Sequence, residues 1–125
     1  MINYFSYEDY NGIHVFHVED IWDIAEGVPA VEIDIRHALA DINAAVNGYD
    51  RADWERVANA DTSYPIIAFA PQGNTIMDGY HRVMKRVMEG HTTVMVQLVH
   101  KLPKECARFK TWEAFAVWFN KQVEA

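Results

Sequence analysis

The chain has a single cysteine, Cys106, and no long apolar run. One cysteine cannot form a disulfide within the chain, whereas small secreted domains are usually held together by several. No stretch has the length of a membrane-spanning helix or the pattern of a secretion signal. These absences predict a protein of the reducing cytoplasm that makes no contact with a membrane. A lone cysteine of this kind is more commonly inert than catalytic.

Positive charge is scarce in the first part of the chain. Ten of the 18 acidic residues lie within the first fifty positions, where Arg36 is the only base, and the formal net charge is -7. A surface of this sign repels the phosphate backbone of DNA and RNA, so nucleic acid is not expected as a partner. Simple solubility is the commoner explanation of such an acidic surface.

Length and composition predict one globular domain, residues 1–125. Half of the 125 residues are hydrophobic and four are tryptophan, which is enough to build a single core without disulfides or a structural metal. Patterns typical of strands and of helices both occur along the chain. The predicted fold class is therefore α+β, a mixed α/β arrangement.

The first sixty residues carry turn and spacing signals for short elements. Asn11-Gly12 is typical of a hairpin turn ahead of a strand. His14 and His17 fall on opposite faces of that strand, so they do not form a shared metal site. The predicted elements are a strand at 13–18, a helix at 19–27, a strand at 29–35, a helix at 36–46, a loop at 47–50 and a helix at 54–60 capped by Asp50 or Asp53.

Residues 29–35 alternate between apolar and acidic side chains. This period of two predicts a half-buried strand with its apolar face toward the core. Val31, Ile33 and Ile35 form that face. Glu32 and Asp34 then share the wet face, where two carboxylates could hold Mg²⁺ or act as an acid and a base. Polar residues of an ordinary surface strand are the commoner explanation.

The middle of the chain has the clearest order of elements. An apolar run at 64–70 ends in the turn residues Pro71 to Asn74, and residues 75–77 return as the second strand of a hairpin. Asp78-Gly79 interrupts this strand, and the apolar spacing then becomes helical up to Gly90. We expect strands at 64–70, 75–77 and 92–99 to share one small sheet, with a helix at 79–89 packed on it through Val83, Val87 and Met88.

The start of that helix is a candidate anion site. The first amides, from Gly79 to Arg82, have no partner within the helix, and they point out of the end of a sheet when a helix follows a strand directly. The helix dipole favours negative charge at the same place. Gly79 would let a ligand approach the backbone, and Arg82 could donate two parallel hydrogen bonds to a phosphate.

The run Asp78-Gly-Tyr-His-Arg82 resembles the core of the ParB/sulfiredoxin-like superfamily. Tyr64-Pro-Ile-Ile67 precedes it, and a helix ending at glycine and then a strand follow it. The likeness is clearest over residues 50–99 and is closest to small bacterial and phage proteins described as ParB-like. It implies a small mixed sheet with flanking helices and a turn that binds the phosphates of a nucleotide of the ATP or CTP class, with Mg²⁺.

Two departures from the family limit what the resemblance implies. Sulfiredoxin's catalytic cysteine corresponds to Tyr80 here, so repair of cysteine sulfinic acid is not expected. ParB proteins that load onto DNA carry a helix-turn-helix domain after this core, whereas about 25 residues follow Val99 in this sequence. Centromere binding is therefore not expected either.

The candidate nucleotide contacts are Gly79, Tyr80, His81, Arg82, Ser63 and Lys85. Asp78 and His81 are the candidate catalytic residues of an NTP hydrolase or small-molecule kinase, and Asp78 is the candidate Mg²⁺ ligand. Each has a structural alternative. Asp78 would cap the helix, His81 would bond to loop backbone, Ser63 would form a turn with Asp61, and Lys85 would be a solvated charge.

A last helix, 111–123, is predicted from the Thr111 cap and a stripe of aromatic residues. This helix either covers the sheet or offers a surface to a protein partner or to a second copy in a homodimer.

Two other function classes stand beside nucleotide binding. One is a non-catalytic interaction module on the same fold. The other is a nucleic-acid-binding or nuclease accessory, which the negative charge disfavours.

Overall fold

The computed structural model describes residues 4–35 and 54–124 of the chain, and it has the predicted α+β architecture. The predicted helix at 36–46, the loop at 47–50 and the caps Asp50 and Asp53 lie outside the described residues. In chain order the elements are β1 (Tyr4–Asp9), β2 (Gly12–His17), α1 (Val18–Ala25), β3 (Ala30–Asp34), α2 (Trp54–Asn59), β4 (Ile66–Phe69), a 3-10 turn (Ala70–Gln72), β5 (Thr75–Asp78), α3 (Tyr80–Met88), β6 (Thr93–Val99), β7 (Ala107–Phe109) and α4 (Trp112–Glu124).

The first sheet has the strand order β1-β2-β7, and both pairings are antiparallel. Tyr10 and Asn11 form the tight turn between β1 and β2, where the Asp9 carboxylate accepts a hydrogen bond from the Asn11 amide at 2.8 Å. Gly12 has a φ of 124°, and a Cβ there would lie 2.5 Å from the Phe109 carbonyl oxygen. A hairpin is thus confirmed here, but its turn lies one residue earlier than the predicted Asn11-Gly12, because Gly12 already pairs with Asp9 as the first residue of β2. β7 had no signal in the sequence.

The second sheet has the strand order β3-β6-β4-β5 and is mixed. β4 pairs antiparallel with β5 and parallel with β6, and β6 pairs antiparallel with β3. The three strands predicted from the middle of the chain therefore do share one sheet. Their hairpin turn needs positive φ values, which Gly73 (65°) and Asn74 (58°) supply.

The second sheet has a hydrophobic cluster on each face, because alternate residues of a strand point to opposite sides. Ile66 and Ala68 of β4 face α3 and α2. That cluster also contains Val57, Ile76, Val83, Met84, Val94 and Val96. Ile67 points to the other face, where it packs with Phe16 of the first sheet. That second cluster also contains Ile21, Ala25, Met77 and Val99.

Two predicted core residues are exposed. Met88 is 66% exposed, while Met84 is buried and packs beside Val83. The buried stripe of α3 runs through Tyr80, Val83, Met84 and Val87, and Met88 lies about a quarter of a turn from its centre. Val31 is 43% exposed. It belongs to β3, which is the edge of its sheet and has only β6 as a hydrogen-bonded neighbour among the described strands.

The last helix, α4, covers the outer face of the first sheet. Thr111 Oγ1 accepts a hydrogen bond from the Ala114 amide at 3.1 Å, which confirms the predicted cap. The Trp118 ring packs 5.0 Å from the ring of Tyr4 and 5.5 Å from that of Phe109. None of the described helices is long and apolar enough to cross a membrane.

Candidate functional site

A cavity of about 690 Å³ opens at the start of α3. Its walls come from parts of the chain that are distant in sequence: β1, the end of α2, β5 and the first turn of α3. The lining residues on which the following argument depends are Tyr4, Tyr7, Arg56, Asp61, Asp78, Gly79, Tyr80, His81 and Arg82. The cavity therefore unites the predicted motif with a hairpin near the N-terminus that the sequence did not connect to it.

Gly79 lies between β5 and α3 with a φ of 101°, a conformation that other residues rarely adopt. A Cβ at this position would lie 2.6 Å from Cγ2 of Ile66, which is fully buried in β4. The glycine is therefore required by the turn and by packing against the neighbouring strand. That Gly79 also lets a ligand approach the backbone stays a prediction from the sequence.

Asp78 ends β5 and does not cap α3, so that alternative is wrong. The residue before the helix is Gly79, and no side chain of the described residues caps the helix start. One carboxylate oxygen of Asp78 instead accepts a hydrogen bond from the Trp22 indole at 2.8 Å. The same oxygen lies 3.6 Å from the Arg82 guanidinium. The bond to Trp22 joins residues 56 positions apart, and nothing in the local pattern indicated it.

Arg82 is held in place by the protein on two sides. Its NH1 group donates a hydrogen bond of 2.7 Å to the Pro65 carbonyl, and its guanidinium lies 6.0 Å from the centre of the Tyr64 ring. The side chain is 25% exposed. Among the described residues the NH2 group makes only the long contact with Asp78, so this end of the guanidinium is the part best placed to contact an anion in the cavity.

Ser63 and Lys85 lie outside the lining of this cavity. The backbone amide and the hydroxyl of Ser63 both donate to Asp61 Oδ1, at 3.0 and 2.6 Å, which is the turn proposed as the structural alternative. The hydroxyl bond is the main cause of the lowered pKa of Asp61. Lys85 Nζ donates to the Ala60 carbonyl at 3.0 Å. Ser63 instead lines a separate cavity of about 230 Å³ together with Tyr64 and Arg82.

The described residues contain no group of three or more His, Cys, Asp or Glu side chains able to hold a metal ion. Magnesium usually binds through one or two carboxylates and completes its shell with water and substrate phosphates. Asp78 and Asp61 both line the cavity, so they fit only this partial role. The paired acids of β3, Glu32 and Asp34, lie outside this cavity.

A second charged cluster lies in the first sheet. His14 is almost fully buried, and its ring nitrogens contact two carboxylates: Nε2 lies 2.8 Å from Asp9 Oδ1, and Nδ1 lies 2.6 Å from Glu105 Oε2. Arg108 binds the other oxygen of Glu105 at 2.6 Å. Ionised carboxylates only accept hydrogen bonds, so this arrangement, in which both ring nitrogens donate, favours the protonated form of His14.

The charges in this cluster stabilise one another. The hydrogen bond to Glu105, followed by that to Asp9, raises the pKa of His14 despite its burial. The bond from His14 lowers the pKa of Asp9, and the bond from Arg108 is the main cause of the lowered pKa of Glu105. Next in sequence, desolvation raises the pKa of the Cys106 thiol. A raised pKa disfavours the reactive thiolate, so the structure offers no support for a catalytic cysteine.

No protein-family model, curated protein or solved structure matches this chain. The resemblance to the ParB/sulfiredoxin-like superfamily therefore stays a prediction, carried by the motif at 78–82 and by the order of elements around it.

Proposed function

We propose that the protein binds a nucleotide whose phosphates lie at the start of α3. The observation that carries the proposal is the cavity of about 690 Å³ into which this helix start opens. Its volume lies within the range typical of small-molecule sites, roughly 300–1,000 Å³. A helix start directly after a strand favours phosphate through its amides and its dipole. Arg82 adds a charged donor on the same wall.

The remaining walls suit the other parts of a nucleotide. Tyr4, Tyr7 and Tyr80 line the cavity and offer aromatic surface to a base. Arg56 adds a positive side chain, whereas Asp61 and Asp78 add negative ones. Two carboxylates beside phosphate are tolerated when Mg²⁺ lies between them. The proposal thus includes Mg²⁺ as a partner of the bound nucleotide.

The chemistry proposed for this site is phosphoryl transfer or hydrolysis. His81 lies in the first turn of α3 and would act as acid or base, because the ordinary pKa of histidine is near neutrality. Asp78 would bind Mg²⁺ or orient the nucleophile. We place this activity in the cytoplasm, a compartment that the single cysteine of the chain supports.

The direct test is calorimetric titration with ATP, CTP, their diphosphates and inorganic tripolyphosphate, each with and without Mg²⁺. In a separate unfolding experiment, nucleotide at a hundred times its dissociation constant should raise the free energy of unfolding by about 2.7 kcal/mol. Tripolyphosphate binding alone would define a phosphate site without base recognition. Absence of binding by every probe at millimolar concentration would refute the proposal.

Two matched variants locate the site. Arg82→Gln and Lys85→Gln remove the same charge from the same helix, but only Arg82 lines the cavity. Glutamine is shorter than arginine, so the bond to the Pro65 carbonyl is lost, and the free energy of unfolding of both variants is measured beside their binding. We expect Arg82→Gln to weaken nucleotide binding roughly ten- to a hundredfold, and Lys85→Gln by less than about threefold. Equal losses would indicate attraction by overall charge instead of a specific site.

A second candidate function, protein interaction, has support from α4. Trp112 and Val117 on this helix are 46% and 59% exposed, although the helix also packs on the first sheet. Exposed large apolar residues on one helix favour a partner or a second copy of the chain. Sedimentation equilibrium tests the homodimer, and Val117→Lys should dissociate it. If the protein is a monomer at all concentrations, the homodimer is excluded, and an interaction through α4 would require a different protein.

A further inference from the structure

A second cavity, of about 610 Å³, lies at the C-terminal end of α1. It shares the Asp78 and Arg82 side chains with the cavity described above. Its other walls differ in chemistry, since they combine two exposed aromatic rings, Trp22 and Tyr64, with the acids Asp23 and Glu26.

The charge around this cavity is negative, because the three acids Asp23, Glu26 and Asp78 outnumber Arg82, the one base in its lining. α1 has no basic residue in its last turn. Asp23 and Glu26 make no ion pair or side-chain hydrogen bond with any described residue. The C-terminal end of a helix also carries partial negative charge, so acids at this place destabilise the helix. Gln97 bonds the Ala25 carbonyl at 3.1 Å, but its amide is neutral.

The two aromatic rings are placed to receive a cation. Trp22 is 48% exposed, and its indole is fixed by the 2.8 Å hydrogen bond to Asp78. Tyr64 is 63% exposed. The Arg82 guanidinium lies 6.0 Å from the centre of its ring and is paired with Asp78, so a ligand cation must contact the part of the ring that Arg82 leaves exposed. Aromatic faces attract weakly hydrated organic cations and suit them better than strongly hydrated metal ions. A ring fixed before binding loses little conformational freedom when a ligand arrives.

We propose that this cavity binds a small organic cation of the alkylated ammonium class. The cation lies against Trp22 and Tyr64, and the carboxylates of Asp23 and Glu26 supply the opposite charge. Trp22 and Tyr64 favour an alkylated ammonium group over other ligands, and the two acids require that the ligand be positively charged. The proposal does not depend on nucleotide binding in the neighbouring cavity, which is measured separately with phosphate probes.

The probes are tetramethylammonium, choline and the uncharged choline analogue 3,3-dimethyl-1-butanol, followed by calorimetry and by the NMR signal of the Trp22 indole NH. Tetramethylammonium and choline should bind and shift that signal, whereas the uncharged analogue should bind at least tenfold more weakly. If the uncharged analogue binds as tightly as choline, the cavity is merely apolar and the proposal is wrong. Absence of binding by both cations at 50 mM would also overturn it.

Trp112 provides a matched control for Trp22. Trp112 is 46% exposed and its indole also donates to a carboxylate, that of Glu8 at 3.2 Å, but it lies outside this cavity. Trp22→Leu should weaken choline binding about tenfold, and Trp112→Leu should leave it unchanged. Similar losses in both variants would contradict the assignment.

The double variant Asp23→Asn/Glu26→Gln keeps the test valid if Trp22→Leu does not fold. Both side chains are exposed and unpaired among the described residues, so we expect this variant to fold normally. It should weaken choline binding several-fold and make the remaining affinity less sensitive to salt. Unchanged affinity and unchanged salt dependence would show that the acids play no part.

Discussion

Two clusters of charged side chains among the described residues differ in how short and how complete their ion pairs are. In the first sheet, His14 lies 2.6 and 2.8 Å from two carboxylates, and one of these is bound in turn by Arg108. At the start of α3, Asp78 and Arg82 approach each other only to 3.6 Å. The first cluster joins β1 and β2 to the segment before β7. The second lies between two cavities.

This difference separates the structural role of the first cluster from the binding role proposed for the second. Short, charge-assisted bonds with every partner present stabilise one arrangement and leave little capacity for a ligand. A long ion pair beside a cavity contributes little stability, so little free energy is lost when one of its members turns to a ligand. The contrast therefore predicts that changes in the His14 cluster alter stability, while changes at Asp78 and Arg82 alter binding more than stability.

The largest effect on stability is expected at Gly79, because the proposed binding region depends on this turn. Gly79→Ala forces a side chain into a left-handed conformation and places its Cβ 2.6 Å from Ile66 Cγ2. We expect a loss of about 3–4 kcal/mol. Gly90→Ala is the control, since Gly90 has a φ of 85° but its added Cβ would meet no described residue within 4 Å apart from its chain neighbours. This variant should cost about 1–2 kcal/mol.

Urea unfolding of both variants measures this difference, which isolates the contact with Ile66 from the conformational strain. If the two glycine variants lose the same stability, the turn before α3 is looser than the structure indicates. The start of the helix would then be a less precise site for phosphate.

The next effect in size concerns His14→Phe. The new ring can still stack on Tyr7, as His14 does at 5.0 Å, but both hydrogen bonds to carboxylates are lost. We expect the free energy of unfolding to fall by about 2–3 kcal/mol. His17→Phe is the control on the opposite face of β2, where His17 packs on Tyr4, and it should cost less than about 1 kcal/mol. Similar losses would mean that the cluster contributes no more than ordinary packing.

The same cluster predicts a pH optimum for stability. The pKa of His14 is raised on folding, so its contribution is full below the unfolded value of about 6.5 and is lost as pH rises through the folded value. The pKa values of Asp9 and Glu105 are lowered, so their contribution is present above about pH 4 and is lost on acidification.

Unfolding measured from pH 3 to 9 should therefore show greatest stability between about pH 4.5 and 6.5. The decline on the alkaline side should disappear in His14→Phe. A variant whose profile runs parallel to that of the unchanged protein would show that other groups cause the decline.

Local signals in the sequence predicted the elements of the second sheet, and they did so for identifiable physical reasons. Gly73 and Asn74 have the positive φ values that their residue types favour, and Gly79 and Gly90 bound α3 with left-handed conformations. The errors lie where packing between distant elements decides which residues are buried. Met88 fits a helical apolar spacing, but it is exposed because the stripe of α3 that faces the sheet passes through Met84.

The walls of the candidate site could be predicted only in part. Residues 78–82 are contiguous, so one motif identified them. Tyr4 and Trp22 reach the same region through the packing of β1 and α1, which depends on contacts between distant parts of the chain. Nor did spacing connect His14 with Glu105, which is 91 residues away. Long-range contacts of this kind leave no periodic trace in a single sequence.

The smallest expected effect, at Asp78, distinguishes its two proposed relations to a phosphate. Asp78→Asn keeps an oxygen that can accept the Trp22 hydrogen bond and loses only the 3.6 Å pair with Arg82. The free energy of unfolding should change by less than about 1 kcal/mol. Without Mg²⁺, removal of a negative charge from the cavity wall should strengthen nucleotide binding roughly two- to fivefold.

With Mg²⁺ present, the same variant should bind nucleotide more weakly than the unchanged protein, because an amide is a poorer magnesium ligand than a carboxylate. The control is Asp23→Asn, which removes the same charge but lies outside the larger cavity. It should change nucleotide affinity by less than about twofold under both conditions. If Asp78→Asn strengthens binding equally with and without Mg²⁺, the carboxylate only repels the phosphate, and Asp78 is neither a metal ligand nor part of the chemistry. The role of the Asp78–Arg82 pair would then be to leave the guanidinium available to an anion, which the loss of binding in Arg82→Gln measures independently.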